Sequence, residues 1–244
     1  MEGRLIRRYK RFLADVRLAD GAEVIAHCPN TGSMKNCAEP GSRVWLQDVN
    51  SPKRKLRYRW ELVEVQERYL ACINTGRANA LVREAIIADR IQALNGYSMI
   101  HSERPYGNEG SRIDLLLTGS GLPDCYLEVK NVTLLVGDGL GAFPDAVTIR
   151  GRKHLRELMA VVQAGHRGVL FFNVAHNGIE RLEPAWHIDP GYGEALVEAV
   201  AAGVEVLAYG VEFSRGQMQL NHVVPFNLGA SFSDPASQSN ISQA

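Results

Sequence analysis

Ser111-Arg112-Ile113-Asp114-Leu115-Leu116-Leu117 is followed, after a short Gly-bearing turn, by Pro123-Asp124-Cys125-Tyr126-Leu127-Glu128-Val129-Lys130. Both stretches have the apolar density of strands bounded by turn residues. Side chains alternate between the two faces of a strand, so Glu128 and Lys130 share one face and Leu127 and Val129 the other. Carboxylates and a lysine inside such runs are costly to bury unless they pair or bind a metal. Asp114, Glu128 and Lys130 together offer acidic oxygens for Mg²⁺ or Mn²⁺ and a cation beside a phosphate or an attacking water. Asp124 lies four residues before Glu128 on one strand, too close to share a metal easily, so Asp114 is the aspartate expected to act.

Outward from this pair the pattern is helical, then extended. Residues 77–94 read as a helix, with Leu81, Ile87, Ala88 and Ile91 recurring on one face. Glu84 sits beside that stripe and is expected at the metal with Asp114 and Glu128. Residues 97–102 read as a strand before the quoted pair, and 125–136 as one strand containing Glu-x-Lys. Residues 136–141 form a glycine-rich loop without the Lys-Ser/Thr of a phosphate-binding loop. Residues 148–163 read as a second helix, 168–174 as a strongly apolar strand and 192–202 as a third helix. Strands over 204–213 and 218–224 follow. The order αβββαβαββ implies a mixed sheet flanked by helices, an α/β (α+β) domain over 77–228. Residues 229–244, rich in Ser, Asn, Gln and Pro, read as a disordered tail.

The N-terminal 76 residues differ in character. Residues 4–18 read as one long strand, and Asp20-Gly21 as a hairpin turn. Further strands are expected at 23–27, 42–47, 55–65 and 69–73. Five short strands in about 70 residues suggest a small barrel of the OB type. Arg7, Arg8, Lys10 and Arg11 cluster at one end of this segment, and Lys53, Arg54, Lys55, Arg57 and Arg59 at the other. Along Arg57-Tyr58-Arg59-Trp60 the arginines share a face suited to tracking phosphates, while Tyr58 and Trp60 face the core. The loop from His27 to Met34 is expected either to bind phosphate or to line the cleft between domains.

The formal net charge is zero, yet residues 1–75 carry 14 Lys+Arg against 9 Asp+Glu, and the remainder 13 against 18. A basic part beside an acidic one fits phosphate binding at one end and metal-binding carboxylates at the other. The four cysteines, Cys28, Cys37, Cys72 and Cys125, show no CxxC spacing, which argues against zinc ribbons and redox motifs. Without a signal-like apolar region or a membrane-length apolar run, a cytoplasmic protein with no membrane partner is expected. On the helix at 148–163, Arg150, Arg152, Lys153 and His154 lie near the N-terminal end, where free backbone N–H groups also favour phosphate. With Arg112 they are expected to contact DNA.

The helix–strand–strand–strand–helix order with Asp…Glu-x-Lys resembles the PD-(D/E)xK nuclease core. Longer strings raise a second resemblance: His27-Cys28-Pro29-Asn30-Thr31-Gly32-Ser33-Met34, Phe143-Pro144-Asp145-Ala146-Val147-Thr148 and Arg150-Gly151-Arg152-Lys153-His154-Leu155-Arg156-Glu157-Leu158. With the strand pair they are similar to the sugar fermentation stimulation protein A family, from about Arg8 to Phe226. That resemblance implies an OB-like N-terminal domain, a nuclease-like C-terminal domain, DNA binding and a regulatory link to sugar metabolism such as maltose use. The nuclease motif maps onto Asp114, Glu128 and Lys130. Two functions follow as expectations: a Mg²⁺- or Mn²⁺-dependent DNA phosphodiesterase, or a noncatalytic DNA-binding regulator on the same scaffold. DNA is the expected partner, and a homodimer is compatible with the sequence.

Overall fold

The computed structural model describes residues 1–51, 54–214 and 216–229. Six strands form the first domain: β1 (Glu2–Tyr9), β2 (Leu13–Leu18), β3 (Glu23–His27), β4 (Arg43–Asp48), β5 (Tyr58–Val65) and β6 (Tyr69–Cys72). The single strand expected over 4–18 is two strands, because Lys10 and Arg11 take left-handed backbone conformations and turn the chain back on itself. The strand order is β3-β2-β1-β4-β5-β6, and a parallel pairing of β3 with β5 closes the first five into a barrel. β6 hangs off β5 outside that closure. Leu5, Val16, Val44, Trp60 and Val63 fill the interior. Trp60 is fully buried, so it packs the barrel instead of offering a base-stacking surface.

The second domain is built on a six-stranded mixed sheet. Its strands are β7 (Met99–Tyr106), β8 (Ser111–Thr118), β9 (Cys125–Val132), β12 (Arg167–Val174), β14 (Glu205–Ser214) and β15 (Gln217–Val223), in the order β15-β14-β12-β9-β8-β7. β9, β12 and β14 are parallel, and the flanking strands antiparallel. A smaller sheet of β10 (Leu134–Gly137), β11 (Leu140–Phe143) and β13 (Arg181–Pro184) adjoins it. The stretch read as a glycine-rich loop is therefore the β10–β11 hairpin, with Asp138 and Gly139 at positive φ in its turn.

Three helices cover the large sheet: α1 (Ala78–Ile87), α2 (Ile149–Gln163) and α3 (Pro190–Ala201). The alternation of β12 separates two cores. Val169 and Phe171 pack on the α1 side, and Leu170, Phe172 and Val174 on the side of α2 and α3. Thr148 caps α2 by accepting from the Gly151 N–H, and Asp189 caps α3 by accepting from Tyr192. All four cysteines are buried free thiols. Among the described residues no helix is long and apolar enough to cross a membrane.

Candidate functional site

Strand alternation carries Glu128 and Lys130 to the α2 side of the sheet, in register with Leu170 and Phe172 of β12. Leu127 and Val129 point into the opposite core. Glu128 is 3% exposed. Its Oε1 accepts from Lys130 Nζ at 2.7 Å and from His154 Nδ1 on α2, while its Oε2 has no partner among the described residues. Burial pushes this carboxyl upward, but the His154 hydrogen bond and the Lys130 charge outweigh it and hold the pKa below the ordinary value.

Asp114 stands where β8 and β9 part, one residue beyond the last paired position, Leu115 with Leu127. Its Oδ2 accepts the free N–H of Val129 at 2.8 Å, and its Oδ1 accepts from Asn79 of α1, also at 2.8 Å. Burial and then the neighbouring charge of Glu128 push its carboxyl above the ordinary range. Two carboxylates thus repel each other in a buried setting, and one of their oxygens is left without a donor. A hard cation would relieve both costs. Among the described residues no group of three or more His, Cys, Asp and Glu side chains is placed to hold a metal ion, so water and substrate oxygens would have to complete the shell of any ion held by Asp114 and Glu128.

Glu84 does not join this group. The buried face of α1 runs through Ala78, Leu81, Val82, Ala85 and Ile86, and the helix ends at Ile87, which is 63% exposed. The expected stripe through Ile87 and Ala88 was misplaced around the axis, and Glu84 faces solvent. Asn79, on an earlier turn, is the α1 residue that reaches the site.

His154 was expected on a phosphate-facing surface. Instead it is 4% exposed and built into the carboxylate cluster. Its signal in the sequence is its phase: His154 and Glu157 lie within the apolar stripe of Leu155, Leu158 and Val161. Glu157 is also buried and accepts from the backbone N–H of Glu109 in the β7–β8 turn. Two more buried groups surround Glu128, the unpartnered hydroxyls of Tyr106 and Tyr192, and neither was anticipated.

The expected basic contacts divide. Arg8 spends one guanidinium nitrogen on the carbonyls of Arg11, Asn30 and Gly32, holding the 27–34 loop against the barrel. Arg7 pairs with Asp15, Arg57 with Asp48, and Arg59 with Glu61. Arg112 reaches the Glu103 carbonyl, Lys153 the Glu109 carbonyl, and Arg152 lies 3.9 Å from Asp189. Lys10, Arg11, Arg54 and Lys55 are exposed and make no side-chain hydrogen bond among the described residues. Lys53 lies outside the described residues. Arg150 is exposed and donates from Nε to His154 Nε2 at 3.2 Å. The 27–34 loop lines the domain junction: Ser33 Oγ donates to the Asp145 carbonyl, and Met34 N–H to the Asp145 carboxylate.

Comparison with known proteins agrees with this architecture. Residues 6–73 match the family described as SfsA N-terminal OB domain, and residues 76–217 that described as Sugar fermentation stimulation protein RE domain. A sugar fermentation stimulation protein homolog of Marinomonas sp. (strain MWYL1) is 57% identical over 225 residues, 92% of this chain and 87% of that protein. One from Shewanella loihica is 55% identical over 93% of this chain and 97% of its own. The solved structure of Pyrococcus furiosus SfsA in complex with Ca²⁺ superposes with a TM-score of 0.83 at 26% identity, covering 93% of this chain and 95% of that one. The chain belongs to the sugar fermentation stimulation protein family, with an OB domain followed by the family's RE domain.

Proposed function

We propose that this is a DNA-binding protein whose second domain hydrolyses phosphodiester bonds with Mg²⁺ or Mn²⁺. The observation that carries the reading is the pairing of half-buried Asp114 with buried Glu128, whose Oε2 has no partner among the described residues and which has Lys130 beside it. Asp114 and Glu128 would hold the cation, which supplies charge neutralisation at the phosphate and a more acidic bound water. The Ca²⁺ named for the Pyrococcus relative supports the choice of a hard divalent ion. Lys130 holds Glu128 in place, and its ammonium stabilises negative charge that develops at the attacked phosphate. The OB domain, whose Lys10, Arg11, Arg54 and Lys55 make no side-chain hydrogen bond among the described residues, would hold the DNA through backbone phosphates. Residence in the cytoplasm beside chromosomal DNA suits this role, and any effect on sugar use, maltose included, would be indirect.

The test is incubation with labelled single-stranded, duplex and branched DNA in Mg²⁺, Mn²⁺ or EDTA. Metal-dependent cleavage is expected, and Asp114→Ala or Glu128→Ala should lower it by several orders of magnitude while circular dichroism shows retained folding. Cleavage that survives in either variant would overturn the assignment. Tight binding without cleavage of any substrate would instead favour the noncatalytic regulator.

A further inference from the structure

The metal-carboxylate reading leaves open what aims Glu128 Oε2 at the cation. Arg150 is a guanidinium and can only donate, so the 3.2 Å contact from its Nε makes His154 Nε2 an acceptor. The ring proton therefore sits on Nδ1, which faces Glu128 Oε1. Lys130 Nζ lies 3.0 Å from the same Nδ1, but both are donors, and both converge on Glu128 Oε1. With Oε1 taken by two donors, the remaining lone pairs of the carboxylate are those of the unpartnered Oε2. His154 is 4% exposed and sits on the second turn of α2, packed in place against the sheet.

We infer that Arg150 and His154 form a positioning relay: Arg150 fixes the imidazole tautomer, and His154 through Nδ1–H holds Glu128 by Oε1, leaving Oε2 as the oxygen that would take a divalent cation. The relay rests on the proposal that Glu128 is a metal ligand. Partners of this kind orient a ligand without touching the ion, and losing one typically costs about 10- to 100-fold in metal affinity. His154 is a positioning residue here, not a proton donor or acceptor in the reaction.

Two measurements on the DNA-free protein test it. Proton–nitrogen correlation spectra of the imidazole should show the proton on Nδ1 in the wild type, and Arg150→Ala should move it toward Nε2. A wild-type ring protonated on Nε2 alone would overturn the relay. Calorimetric titration with Mn²⁺ should show affinity falling about 10- to 100-fold in His154→Ala. His154→Asn, whose amide nitrogen occupies the Nδ1 position, should restore most of it. In the His154→Asn background, Arg150→Ala should add no further loss. Equal Mn²⁺ affinity in wild type and His154→Ala, with both shown folded by thermal unfolding, would sink the proposal, as would a wild type that binds no Mn²⁺. Intact tautomer and Mn²⁺ binding without DNA cleavage would sink the phosphodiesterase reading and leave the relay standing.

Discussion

The basic residues near the N-terminus look alike in sequence, but their surroundings assign them different work. Arg8 is half-buried and serves the carbonyls of Arg11, Asn30, Gly32 and Ser33, with its Nε buried and without a partner among the described residues. Arg7 makes one exposed ion pair with Asp15. Arg8→Ala should therefore lower the unfolding free energy by about 1–3 kcal/mol, the cost of stranding partly buried acceptors. Arg7→Ala should cost far less, because water replaces the partner of an exposed ion pair. Urea midpoints for the two variants check this, and equal losses would refute it. Lys10 and Arg11, like Arg54 and Lys55, make no side-chain hydrogen bond among the described residues, which leaves their charge available for the proposed DNA contact. Replacing either with alanine should weaken binding about equally for all sequences and lower the slope of log affinity against log salt by about one. Fluorescence anisotropy at several salt concentrations measures that slope.

At the scale of elements, α2 organises the site. One turn inserts His154 against Glu128, and the next, through Glu157, Lys153 and Arg156, grips the β7–β8 turn at Glu109. Gly107 in that turn has φ +69, and a Cβ there would run into the Glu157 carboxylate, so only glycine lets the turn approach the helix. β8 leaves this turn and reaches Asp114 a few residues later, so α2 braces both strands that carry the carboxylates. Thr148 begins this helix as its N-cap. Thr148→Ala should cost about 1 kcal/mol of stability, and Thr148→Ser almost nothing. Thermal unfolding of both variants distinguishes them, and an equal loss in both would show that the hydroxyl is not the stabilising group. The helix itself was legible from its apolar period. Its grip on the neighbouring hairpin was not, because no local pattern records which turn a buried glutamate will meet.

Over the whole molecule the two domains share backbone hydrogen bonds. Cys72 N–H donates to the Ala175 carbonyl at 2.8 Å, and Asn177 N–H to the Leu70 carbonyl at 3.0 Å, so β6 is stitched to the end of β12. His176 lies within this seam, 1% exposed, with its Nδ1 accepting from Gly178. Burial lowers its pKa to about 4, against roughly 6.5 in an unfolded chain. The neutral form is thus favoured by folding. Its contribution is fully present above about pH 6.5 and is lost as pH falls from there toward 4, by on the order of 3 kcal/mol in all. Unfolding free energies between pH 4.5 and 7.5 should show a steeper acid decline in the wild type than in His176→Asn. Parallel curves would remove His176 from the account.

What the sequence by itself determined was most of what local period carries, though not the phase of α1 or the break between β1 and β2. Alternation on β9 put Glu128 and Lys130 on one face, the 3.6-residue period marked α2, and turn residues separated the strands of an OB-like barrel from a mixed sheet with helices. Such patterns are legible because side-chain direction follows from backbone geometry within a few residues. The tertiary structure alone decided which distant groups meet. It closed the barrel through β3 and β5, turned Glu84 to solvent, brought Asn79 to Asp114, and buried His154 between Arg150 and Glu128. The phase of a helix against a sheet is set by packing across the core, and the partner of a buried polar group by whichever donor that packing leaves within reach.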